Sequence, residues 1–94
     1  MAKRLTKALR EKRRWVGLHV SGKIESRNEL EKRLSQIAPV NEWKLYDFSK
    51  SKAILRIHLK NQNEWREILS DTNSEIYSVT ISGKIRLVRE RLEI

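Results

Sequence analysis

The side chains with the most chemical potential in this chain are cations, and they gather at its two ends. Lys3, Arg4, Lys7, Arg10, Lys12, Arg13 and Arg14 stand against Glu11 alone in the first fourteen residues. Lys84, Arg86, Arg89 and Arg91 stand against Glu90 and Glu93 at the close. Between them the charges nearly balance, as on the solvated faces of an ordinary domain. Such ends do one kind of chemistry well. Each phosphate they neutralise releases condensed counterions, so paired basic segments point to a polyanion. A solubilising tail is the plain alternative. A helix lying on an anionic membrane is another, but Leu5, Ala8 and Leu9 give it only a thin apolar stripe without an aromatic.

Catalytic groups are harder to find. No serine, histidine and acid arrangement suggests a triad, and no D-x-D or E-x-x-H pair suggests a metal site, so no catalytic residue and no metal ligand is nominated. Ser82-Gly83-Lys84 has the end of a phosphate-binding loop but lacks its upstream glycine and following hydroxyl. A helix amino terminus there could still hold one phosphate through free N–H groups. His19 and His58 share the outward parity of strands expected to be adjacent, which predicts that they are neighbours. With Trp15, Arg56 and Tyr46 they would form a sheet face able to stack on bases or to pack against protein.

Length and composition narrow the rest. Ninety-four residues allow one domain at roughly 100–200 residues each, which excludes large catalytic folds such as catalytic barrels and two-domain dehydrogenases. The chain is 38% hydrophobic and 35% charged, too apolar for full disorder and too polar for a spanning helix. It contains no cysteine, which removes disulfides and thiol chemistry and fits a reducing, cytoplasmic setting. The amino terminus lacks the apolar block of a secretory signal.

The elements that must position the cations can be read from periodicity. Trp15–Val20 alternates as a half-buried strand, with Val16, Leu18 and Val20 on one face. Ser26 and Glu29 form a capping box that opens a helix over about Arg27–Ala38, with Leu30, Leu34 and Ile37 inward and a Glu29–Arg33 ion pair outward. Trp43–Phe48 is a second strand of ambiguous buried face. Ala53–Leu59 is a third, with Ala53, Leu55, Ile57 and Leu59 pointing one way. Asn61 or Asn63 caps a short helix carrying Trp65, Ile68 and Leu69 inward. Ile76–Ile81 is a fourth strand. Ser82 caps a last helix over Lys84–Leu92 with Ile85, Val88 and Leu92 as its stripe. Val20-Ser-Gly-Lys-Ile24 and Ile81-Ser-Gly-Lys-Ile85 read as one solution, used twice, for leaving a strand.

The order β-α-β-β-α-β predicts an α+β fold of ferredoxin-like or RNA-recognition-motif type. It is a two-layer sandwich over residues 15–94, with an extra C-terminal helix and a basic N-terminal arm over residues 1–14. The sheet's second face is open unless the last helix or a partner covers it.

Three stretches carry a family resemblance. Leu9-Arg-Glu-Lys-Arg-Arg-Trp-Val16, Ser26-Arg27-Asn28-Glu29-Leu30 and Val79-Thr-Ile-Ser-Gly-Lys-Ile-Arg86 with its basic helix resemble archaeal and eukaryal ribonuclease P protein component 2. The chain is shorter than that family in its middle, and Lys84 stands where the family usually has threonine. The resemblance implies a protein subunit of an RNA-based endoribonuclease that removes 5′ leaders from precursor tRNA. The RNA, with Mg2+, would supply the active site, and the protein would bind no cofactor of its own. Implied partners are ribonuclease P RNA, ribonuclease P protein component 3, precursor tRNA in the assembled complex, and a second copy of the chain. A membrane is not among them. The candidate RNA contacts are then Lys7, Arg10, Lys12, Arg13, Arg14, Lys84, Arg86, Arg89 and Arg91, with Trp15, His19, Arg56 and His58 as candidate contacts on the sheet face. Two rival readings remain: a stand-alone single-stranded RNA binder using the open sheet, and a protein-interaction module with a basic tail.

Overall fold

A computed structural model describes residues 12–94. Its first strand, β1 (Arg13–Val20), starts two residues before the expected Trp15. The Leu59 N–H donates to the Lys12 carbonyl at 2.8 Å and carries the pairing one step further. Alternation buries Val16, Leu18 and Val20 on one face of the sheet, called here the helix face. The Ser-Gly-Lys turns that leave β1 and the last strand are closed alike. Ser21 Oγ accepts from the Lys23 N–H, and Ser82 Oγ from the Lys84 N–H, each at 3.2 Å.

Helix α1 (Arg27–Ile37) is capped by Ser26, whose Oγ accepts the Glu29 N–H at 3.1 Å. Leu30 and Leu34 are buried, but Ile37 is 38% exposed and leaves the expected stripe. The helix stops there, and extended Ala38 packs on the core instead. The expected Glu29–Arg33 pair is also replaced. Arg33 reaches Glu75 at the start of the last strand's approach, while Arg27 pairs with Glu31 at 3.9 Å. A solvated i,i+4 pair contributes only about 0.2–0.5 kcal/mol, too little to hold a guanidinium against a partner brought near by the fold.

Strands β2 (Trp43–Ser49) and β3 (Lys52–His58) form a hairpin whose turn places Lys50 at φ 54. The ambiguity of β2 has a physical cause. Leu45 pairs with Leu55 and Asp47 with Ile54, so Tyr46 is an extra residue in a β-bulge. Trp43, Leu45 and Phe48 thereby all meet the helix-face core, a spacing that strict alternation forbids. In β3, Ala53, Leu55 and Ile57 enter that core as expected. Leu59 does not continue the strand; it opens a 3-10 turn, Leu59–Asn61.

Helix α2 (Gln62–Ile68) buries Trp65 completely, with Leu69 behind it. Asn61 holds the cap position without a side-chain cap bond. Its φ of −104 and ψ of 7 are not those of an extended cap, and its side chain is turned into the interior. Strand β4 (Ile76–Ser82) pairs with β1 through a second bulge, at Val79, between the pairs Gly17–Thr80 and Leu18–Ser78. The sheet is antiparallel throughout, in the order β2-β3-β1-β4. Among the described residues the fold is thus α+β, a four-stranded antiparallel sheet with three α-helices. None of those helices is long and apolar enough to cross a membrane.

Helix α3 (Ile85–Leu92) settles where the sheet's other face goes. Val88 and Leu92 are buried with Ile54, and Ile85, Trp15 and Tyr46 pack around them. The face opposite α1 and α2, the outer face, is therefore covered in its middle by α3. Gly17 makes this approach feasible: a Cβ there would lie 2.8 Å from Thr80 Cγ2, 3.0 Å from Val88 Cγ1 and 3.2 Å from Leu92 Cδ1.

Candidate nucleic-acid interface

The antiparallel β1/β4 ladder brings the two basic segments together. Trp15 pairs with Ser82, so Arg13 and Arg14 lie beside Gly83 and Lys84, at the point where α3 begins. Contact is direct. A Cβ on Gly83 would sit 3.1 Å from Nη1 of Arg14, and the same Nη1 donates to the Arg13 carbonyl at 2.9 Å. Lys12, Arg13, Lys84 and Arg86 are exposed, and Arg14 is half-buried. Lys7 and Arg10 lie outside the described residues.

Arg89 and Arg91 occupy opposite flanks of α3 and have local work. Arg89 Nε meets Asp47 Oδ2 on β2 at 3.1 Å. Arg91 Nη1 donates to Thr80 Oγ1 on β4 at 2.8 Å. Since β2 and β4 are the two edges of the sheet, the helix is tied across its whole width. These two cations anchor α3 as well as charging it.

Charge divides by side. On the outer face and α3 stand Arg13, Lys44, Lys52, Arg56, Lys84, Arg86, Arg89 and Arg91, against Asp47, Glu90 and Glu93. Most of the described acids belong to α1, α2 and the loops beside them, including Glu29, Glu31, Glu64, Glu67 and Asp71. A segregated field of this kind attracts a polyanion to one side of the molecule.

The sheet-face candidates do not form one cluster. His58 pairs with Arg13 and His19 with Lys52, so the two histidines sit at opposite ends of the β1/β3 ladder, about 20 Å apart at ~3.3 Å per residue. Shared parity put them on one face; antiparallel register separates them along it. His19 stacks on Tyr77 with ring centroids 4.8 Å apart. Trp15 meets Tyr46 edge-to-face at 4.7 Å, and Arg56 donates to the Tyr46 hydroxyl at 3.3 Å. Among the described residues no three histidines or acids converge as metal ligands.

Sequence reasoning missed Lys44 and the anchoring parts of Asp47 and Thr80. Lys44 joins the site only because it lies opposite Arg56, a relation that depends on strand register. Compared with family models, curated proteins and solved structures, the chain gives no significant match.

Proposed function

We propose that the chain is a non-catalytic RNA-binding subunit of ribonuclease P, which binds and stabilises the catalytic RNA during removal of 5′ leaders from precursor tRNA. The observation that carries this reading is the meeting of the Arg13–Arg14 and Gly83–Arg86 segments at one end of the β1/β4 ladder. Strand pairing sets these cations side by side, and a bound polyanion offsets the repulsion between them. The family resemblance at the same two segments supplies the identity of the anion.

The element order and the strand order β4-β1-β3-β2 support a ferredoxin-like or RNA-recognition-motif-like description, with α3 as the extra helix. The chemistry is electrostatic. The protein lowers phosphate repulsion in a folded RNA, and the RNA with its Mg2+ carries out the cleavage in the cytoplasm, with component 3 as the second protein. A stand-alone binder of single strands needs open stacking faces, whereas Trp15 and Tyr46 pack on each other beneath α3. Phosphate binding needs only the cations.

Reconstituted precursor-tRNA cleavage tests the reading. Adding the full chain to ribonuclease P RNA and component 3 should raise cleavage. Its binding to that RNA should weaken by roughly 10³–10⁵ between 50 and 200 mM salt if about 6–10 phosphates are contacted. Unchanged cleavage together with salt-indifferent binding would overturn it.

A further inference from the structure

Beyond the two basic ends, the outer face holds a row of residues in direct cross-strand register: Ser82 on β4, Trp15 on β1, Arg56 on β3 and Lys44 on β2. Arg13 and His58 form the next pair outward. Lys44 and Arg56 are like charges directly opposite each other, an arrangement that destabilises a sheet when nothing intervenes. Here an aromatic ring holds both. Lys44 Nζ lies 5.4 Å and Arg56 Cζ 5.5 Å from the Tyr46 ring centroid. Tyr46 shares the outer parity of Lys44, and the bulge brings its neighbour Asp47 to the same face. Asp47, the acid on β2, is occupied by Arg89.

We infer that this row is a second phosphate-binding strip, carrying an RNA backbone from the Lys84–Arg86 corner across the sheet to Lys44. The inference rests on the RNA-binding reading above and extends it to residues outside the basic ends. Four strands at ~4.8 Å spacing give a track of about 14 Å, longer than one phosphate requires. Backbone fits better than base here. The row offers guanidinium and ammonium groups, while its one ring, Trp15, is already edge-to-face with Tyr46. Contacts to phosphate position an RNA without reading its sequence, so this strip contributes affinity and register.

The test measures binding of the full chain to labelled ribonuclease P RNA across a salt series. Lys44→Gln with Arg56→Gln should lower the salt slope by about 2, one per cation, equally for RNAs of different sequence. Between 50 and 200 mM that is about a threefold smaller loss of affinity per cation. Arg56→Lys should keep the slope. Lys44→Gln alone should lower it by about 1, and it guards against a folding effect of Arg56, because Lys44 is exposed. A wild-type slope in the double variant, alongside a reduced slope in Lys84→Gln/Arg86→Gln, would overturn the strip and leave the basic ends standing. Absence of salt-dependent binding in the wild type would overturn the underlying reading. Tighter binding of poly-glutamate than of RNA would overturn both.

Discussion

Gly17 shows most clearly how one residue decides what the rest can do. It sits on the outer parity of β1 and is buried under α3, where a Cβ would come within 2.8 Å of a β-branched methyl that cannot swing away. Gly17→Ala should therefore destabilise the chain by about 1–3 kcal/mol in a urea titration, through overpacking. Gly22 is the control. Nothing lies within 4 Å of its Cβ position and its φ is not positive, so Gly22→Ala should be neutral or stabilising by about 0.4–1 kcal/mol. Equal costs at the two sites would mean that α3 does not rest on β1. Two buried donors, Asn61 Nδ2 and Trp65 Nε1, have no hydrogen-bond partner among the described residues. An unsatisfied donor adds to the cost of burial. Trp65→Phe, which deletes one of them and keeps most of the ring volume, should therefore cost well below the about 3–5 kcal/mol expected for Trp65→Ala.

Among the elements, α3 has two kinds of attachment with different weights. Its apolar stripe is the stronger: Leu92→Ala should cost about 2–5 kcal/mol by opening a cavity against Ile54 and Gly17. Its polar ties are half-exposed, so Asp47→Asn should cost at most about 1 kcal/mol by the same denaturation assay. At the other end of the chain, Ser26→Ala should cost α1 about 0.5–2 kcal/mol by removing the cap to Glu29. These elements were largely legible. Capping signals and alternation located α1, β1 and β3, because each is a local rule obeyed locally. Strand β2 was not, since its bulge moves Phe48 back to the core one residue out of phase. The destination of α3 was equally hidden. Its Ile85, Val88 and Leu92 stripe fits any apolar surface, and the clue to the one it chose was an isolated glycine in β1.

At the scale of the whole molecule, the sheet works as a divider. Its helix face carries the larger core and most of the described acids, and its outer face carries α3 and most of the net positive charge. The basic ends were plain in the sequence as composition, but their adjacency was not, because it follows from the β1/β4 pairing. The same pairing logic hid the Lys44–Arg56 juxtaposition and falsely suggested a histidine pair. Charge content is a property of the chain, whereas charge geometry is a property of the register.

That division is open to a direct measurement: the affinity of the full chain for ribonuclease P RNA across a salt series, with charge reversed on one side at a time. Lys84→Glu with Arg86→Glu, on the outer side, should weaken binding at least tenfold and flatten its salt dependence. Lys32→Glu with Arg66→Glu, exposed on α1 and α2, should leave the salt slope close to wild type. Equal losses from both reversals would contradict the account, because the RNA would then be responding to net charge and not to one face of this fold.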